Sequence, residues 1–162
     1  MNWAGLTHER IVTIYSDLFD EVVINRRNKD LAIKEVMILA EVLKRDFSKR
    51  QLSILGLIMT FSYFYGKETA LIPKLSDFEL AGISKTKINV ELSKLVELDI
   101  ITWTRGRDAN EYMINDPRQW KAEYHKKYND IRSRELFFLN LKHAGISFNL
   151  DEIIAKAMAD RK

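Results

Sequence analysis

Gly82-Ile83-Ser84 is the tightest constraint in the chain. It joins two helical patterns within LSDFELAGISKTKINVELSKLVELDII, residues 75 to 101, and is too short for the two to fold as independent elements. Upstream, Ser76-Asp77-Phe78-Glu79 has the spacing of a capping box, which predicts a short helix with Phe78, Leu80 and Ala81 apolar. Gly82 ends that helix where glycine tolerates a left-handed turn. Ser84 is placed to cap the next helix, whose Ile88, Leu92, Leu95 and Val96 fall within one sector of a helical wheel. Residues 76 to 98 thus read as helix, tight glycine turn, helix.

After Asp99 the period changes from helical to extended. Ile100-Ile101-Thr102-Trp103-Thr104 is β-branched and aromatic, Arg105 to Asn110 is turn-rich, and Glu111-Tyr112-Met113-Ile114-Asn115 reads as a second strand. A hairpin with a charged tip directly after a helix-turn-helix is the order of a winged helix. Ala70-Leu71-Ile72 supplies a third short strand, which Pro73 confines to an edge.

The flanks read as helical. Residues 29 to 47 place Leu31, Val36, Leu39, Ala40 and Leu43 near one face, with Lys44-Arg45-Asp46 closing the helix. Ser48 and Gln51 have capping-box spacing, which predicts a new helix that is apolar almost all round. Gly56 inside it costs about 1 kcal/mol relative to alanine, which predicts a second backbone packed closely there. From Pro117 a further helix is expected, with Trp120, Tyr124, Tyr128 and Ile131 in a sector roughly 80 degrees wide. Gly145 then separates LFFLNLKHAG from a terminal helix that Asn149 and Glu152 could cap. The expected fold class is mostly α with a small β-hairpin (α+β). It is a winged helix-turn-helix at 29–116, preceded by an acidic segment at 1–28 and followed by a helical extension at 117–162.

The chain has 162 residues, 46% of them apolar, which suffices for one core. It has no cysteine, so disulfides, thiolate zinc sites and thiol nucleophiles are excluded. The N-terminal stretch lacks a basic region followed by an apolar run, and no apolar run reaches membrane-spanning length. The expectation is a soluble protein of the cytoplasm, with no membrane partner. Isolated glycines exclude a phosphate-cradling loop and a dinucleotide fingerprint. His8, His125 and His143 never approach metal-ligand spacing. Tyr124 and Tyr128 have the spacing of paired nickase nucleophiles, but the histidines that would hold the required metal are missing, and packing accounts for both. Asp17, Asp20 and Glu21 could in principle hold magnesium, and a solvated helix face accounts for them more simply.

Formal charge is +3 but unevenly placed. Residues 1 to 24 carry Glu9, Asp17, Asp20 and Glu21 against Arg10, net −3, whereas residues 117 to 134 are net +4. A locally basic surface suits an anionic partner, because phosphate attraction does not need a highly basic chain. In the second helix of the pair, Thr86, Lys87, Val90, Ser93 and Lys94 lie about opposite the apolar sector. Short polar groups and cations on such a helix suit the edges of bases and the phosphates of a major groove, and the Val90 methyls suit a thymine methyl.

LKRDFSKRQLSILGLIM, FYGK, IPKLSDFELAGISKTKINVELSKL, the spacing I-x-W and INDPRQW occur in order between Lys44 and Trp120. This run resembles the N-terminal winged-helix domain of the phage replication protein O family and its relatives in phages of Gram-positive bacteria. The resemblance implies a replication initiator in the host bacterial cytoplasm that binds repeated sites in a double-stranded origin. It also implies help in bringing a replicative helicase, through a helicase loader, to melted DNA. It implies neither catalysis nor a cofactor. The helix-turn-helix maps to residues 76 to 98 and the wing to 100 to 115. Family members commonly continue into a longer C-terminal region for protein contacts; either residues 117 to 162 do that work or further chain does.

The expected DNA contacts are therefore Lys85, Thr86, Lys87, Asn89, Val90, Ser93 and Lys94 in the major groove. Arg105 and Arg107 follow from the wing, and Lys121, Lys126 and Lys127 on further phosphates. Two other readings share the fold. One is a transcriptional repressor that forms a homo-oligomer through the aromatic stripe of residues 120 to 131, and the other is a primosome-type scaffold that binds protein and not DNA.

Overall fold

The computed structural model describes residues 3–26 and 28–160. They divide into two units, Met1–His125 and Lys126–Lys162.

The first unit begins with α1 (His8–Asn25), capped by the Thr7 hydroxyl, and α2 (Lys29–Val42), capped by the Asn28 carboxamide. The buried face of α2 is Leu31, Glu35 and Ile38, while Val36, Leu39 and Leu43 are exposed. This overturns the expected stripe. The inward position is a glutamate whose two oxygens accept from Arg26 at 2.8 and 2.9 Å, and a search for apolar periodicity passes over such a residue. Helix α3 (Lys49–Thr60) starts as predicted, with the Ser48 and Gln51 side chains each taking the other's backbone N–H. Gly56 is exposed, and a Cβ added there would meet nothing within 4 Å, so no second backbone approaches it.

After a 3-10 turn at Tyr63–Tyr65 the chain forms β1 (Thr69–Leu71). The supporting element before Gly82 is a 3-10 helix, Leu75–Ala81, and not an α-helix capped by Ser76. It starts earlier than the spacing predicts: the Asp77 carboxylate accepts from the Lys74 N–H at 2.9 Å, while the Asp77 N–H reaches the Lys74 carbonyl at 3.0 Å. Gly82 takes φ +81, the left-handed conformation its position predicts. Ser84 then holds the extended backbone of an N-cap and opens α4 (Lys85–Glu97), though its hydroxyl makes no capping bond. Helix α4 ends with Asp99 at φ 57, the Asp99 N–H on the Val96 carbonyl and the Ile100 N–H on the Leu95 carbonyl.

Strands β2 (Ile101–Arg105) and β3 (Asn110–Ile114) form the hairpin. The antiparallel sheet has the order β1-β3-β2, with Tyr112 opposite both Ala70 and Trp103. The core lies between this sheet and the helices. Its most buried members are Ile54, Leu55 and Ile58 of α3, Phe78 of the 3-10 helix, Ile88, Leu92 and Leu95 of α4, and Ile100, Ile101 and Tyr112. The architecture is α+β and winged-helix-like.

The helix expected from Pro117 does not form. Pro117–Gln119 is one 3-10 turn, and residues 121 to 125 run beside the chain after α2. There the Asp46 N–H reaches the Glu123 carbonyl at 2.7 Å, the His125 N–H reaches the Lys44 carbonyl at 3.0 Å, and Arg45 reaches the Ala122 carbonyl. Trp120 is buried edge-on against Phe47, and its indole N–H donates to the Asn115 carbonyl. Cross-chain backbone bonds and one buried ring outweigh the helical spacing of the aromatics, and Tyr124 and Ile131 are exposed.

The second unit has two helices, α5 (Asp130–His143) and α6 (Leu150–Ala159), joined by a turn. Gly145 turns at φ +74 with the Ile146 N–H on the Leu141 carbonyl, and Asn149 caps α6 by accepting from the Glu152 N–H at 3.2 Å.

Candidate nucleic-acid interface

Helix α4 has two faces. Inward, Ile88, Leu92 and Leu95 are fully buried; outward, Lys85, Thr86, Lys87, Asn89, Val90, Ser93 and Lys94 are all exposed. Val96, expected in the apolar sector, lies at its edge and is 38% exposed. Among the described residues, Lys85, Thr86, Lys87, Asn89 and Ser93 make no side-chain hydrogen bond or ion pair within the molecule. Their donors and acceptors are satisfied by solvent and are open to a ligand. Lys94 has only a loose approach to Glu91, at 3.9 Å.

The wing tip is closed by a backbone hydrogen bond, and one of its two cations rests on an aromatic ring. The Gly106 N–H reaches the Ala109 carbonyl at 3.0 Å across the tip, and a Cβ at Gly106 would sit 2.3 Å from that oxygen, so the tip requires glycine. The Arg105 guanidinium lies 4.0 Å from the centre of the Trp103 ring, held there by cation–π attraction. Trp103 stacks on Tyr112 at 5.7 Å, and Tyr112 meets Phe78 edge-on at 5.1 Å. One aromatic chain thus runs from the 3-10 helix that supports α4 to the base of the wing cation. Arg107 is exposed at the tip.

Trp103 is the residue that a search for polar and charged contacts passes over. Its spacing of two from Arg105 on one strand places both on the same face, and that spacing is visible in ITWTR. Burial pushes the Tyr112 hydroxyl up to about 12, against the opposing pull of Arg105. The ring is therefore a neutral packing element in this chain of contacts.

The remaining cations are placed elsewhere. Lys121 pairs with Asp99 at 3.0 Å, at the C-terminal end of α4, and its backbone N–H holds the Leu98 carbonyl. Strand β2 departs from that end, so the wing tip stands about four strand residues, roughly 13 Å, further along the sheet. Lys126 and Lys127 lie in a turn at the head of the second unit. Arg118 is held by Asp116, which the bonded guanidinium draws down to about 2. Tyr124 lies under the Arg45 guanidinium at 4.4 Å, on extended chain and not on a helix with Tyr128. Among the described residues no three acidic or histidine side chains, Asp17, Asp20 and Glu21 included, gather as a metal site would need, and no helix is long and apolar enough to cross a membrane.

Comparison with curated proteins and with solved structures gives no match. The family model for bacteriophage replication protein O matches residues 33–117, from within α2 through the helix-turn-helix and the hairpin, which is just over half of the chain. The chain belongs to the bacteriophage replication protein O family, and its role lies in phage DNA replication.

Proposed function

We propose that the protein is a replication initiator without catalytic activity that binds repeated sites in a double-stranded origin and helps bring a helicase loader and helicase there, in the bacterial host's cytoplasm. The observation that carries this reading is the outward face of α4, where lysines, hydroxyls and a carboxamide stand uncommitted over a fully buried inner face. Thr86 and Asn89 are the base readers, since hydroxyls and amides discriminate base edges, and Val90 suits a thymine methyl. Lys85, Lys87, Ser93 and Lys94 take phosphates and fix the register. Arg105 and Arg107 reach the backbone or an adjacent minor groove from the wing, with Arg105 oriented in advance by Trp103. Lys126 and Lys127 add phosphate contacts, and Lys121 does so on exchanging Asp99 for a phosphate.

The repressor reading loses its expected dimer helix, because residues 120 to 129 form no helix and, of the aromatic stripe, Ile131 alone lies in α5. The test is titration of duplex DNA from around the gene at several salt concentrations, with footprinting of the sites. Protection of tandem repeats is expected. Replacing Lys87 and Lys94 together with alanine should weaken binding to every sequence and flatten the log–log salt slope by about 0.9 for each phosphate no longer neutralised. An unchanged slope in the double variant would move the binding face off α4, and no duplex binding at low salt would favour the protein-binding scaffold.

A further inference from the structure

Helix α1 repeats Val12, Tyr15, Phe19 and Val23 at i, i+3, i+7 and i+11, a row within a sector roughly 80 degrees wide on one side of the helix. All four are at least 50% exposed, and no residue of α1 is buried. The Tyr15 ring lies 6.0 Å from Trp3 and 6.3 Å from Phe19, so the aromatic members are contiguous. The helix is anchored at its C-terminal end, where the Asn25 carboxamide donates to the Tyr65 carbonyl and Arg26 pairs with Glu35 at 2.8 Å. Half-buried Ile11 and Val22 border the row on one flank; on helical geometry Glu9 and Asp20 border it on the other, with Asp17 and Glu21 behind them. Among the described residues none of these four carboxylates makes a hydrogen bond or an ion pair. Arg10, the one lysine or arginine within His8–Asn25, lies on the far side, so the helix carries four acids against one base, net −3.

We infer that this row is the docking surface for a basic amphipathic helix of a partner protein. The inference rests on the recruitment reading for the kind of partner and on α1 alone for the surface. Apolar anchors spaced one helical turn apart are what a second helix laid alongside engages. The carboxylates on the flank select lysine or arginine beside that helix's own apolar row. Because these carboxylates hold no cation of their own, docking forms new pairs without breaking an internal one. Duplex DNA does not suit this face, since carboxylates repel phosphate and an apolar row offers it no donor. A second copy is a poorer complement, because α1 has no lysine or arginine beside the row to meet Glu9 and Asp20 across the seam.

The probe is a synthetic helix of about 20 residues with leucine on one face and lysine along both edges of that face, together with its twin carrying glutamate for every lysine. Each is titrated into the full chain by calorimetry, with amide NMR reporting where it binds. The lysine peptide should bind at least about tenfold tighter than its twin, shift the amides of α1, and weaken as salt rises. Tyr15→Ser with Phe19→Ser should weaken it at least about tenfold, and Glu9→Lys with Asp20→Lys should transfer the preference to the glutamate peptide. If the serine variant loses far-UV helix signal, the charge-reversed variant, which keeps the apolar row, decides. Equal affinity for the two peptides, lysine-peptide shifts away from α1, or an unreversed preference in the charge-reversed variant would overturn the assignment. So would light scattering that finds the chain alone as a multimer which the serine variant returns to one copy, since another copy would then cover the row. The serine variant should keep the wild type's duplex affinity, so a failure here leaves the DNA reading standing, and a wild type that binds no duplex leaves this surface standing.

Discussion

At the scale of single residues, Gly56 separates pattern from packing. In a helix interior it costs about 1 kcal/mol, and the simplest expectation is a close neighbour that excludes a side chain. The structure places it on the open side of α3, beside no atom that a Cβ would touch. Gly56→Ala should therefore stabilise the protein by about 0.5–1 kcal/mol, read as a higher denaturant midpoint at unchanged slope. A loss of stability would mean that something packs on that face after all. The positive-φ glycines behave in the opposite way. Their need is conformational and local, so Gly82 is legible from its place between two helical patterns, whereas an exposed helical glycine has no signature distinguishing it from a packed one.

At the scale of elements, legibility follows how local the determining forces are. The Ser48–Gln51 box, the Gly82 turn, the Asn149 cap and the hairpin rest on contacts within a few residues, and each is where its spacing predicts. The inner face of α2 escapes a periodic reading because Arg26, nine residues away, neutralises Glu35. The stretch after Pro117 escapes it because its strongest aromatic, Trp120, is committed to Phe47 and its backbone to residues 44 to 46, contacts that no local period records. Of the candidate interface, the α4 face is legible because burial of Ile88, Leu92 and Leu95 dictates what remains outside. The pairing of Lys121 with Asp99 is not. The Gly82 joint carries its own test at this scale. Alanine at φ +81 costs about 1–2 kcal/mol of backbone strain, and nothing within 4 Å adds a clash. Gly82→Ala should lower stability by that amount and Gly82→Asn by less, because asparagine tolerates the left-handed region better. Equal stability of the Gly82→Ala variant and the wild type in urea melts would mean the turn relaxes to another conformation.

At the scale of the whole molecule, the core ties the first unit to alkaline pH through two tyrosines at different corners. Tyr63, 3% exposed behind α2, is pushed up to about 12 by burial first and then by Glu68, Asp116 and Glu35; Tyr112, fully buried between Phe78 and Trp103, reaches about 12 by burial. An unfolded tyrosine loses its proton near pH ~10. Below that pH both states hold the proton and the full stability is present. Between about 10 and about 12 the unfolded chain has released protons that the folded one retains, so stability falls as pH rises. Each tyrosine can contribute on the order of 2 kcal/mol across that window. The Tyr112 hydroxyl is buried with no hydrogen-bond partner among the described residues, so phenylalanine there leaves no group unsatisfied. Chemical denaturation at about pH 8, 10 and 11.5 should therefore show a steep alkaline decline in the wild type and a shallower one in Tyr63→Phe with Tyr112→Phe. The expected ordering is parity or a gain for the variant at the lowest pH and a clear advantage at the highest. Parallel declines in the two proteins would assign the alkaline limb to other groups, and the two rings would then be packing elements with no part in the pH response.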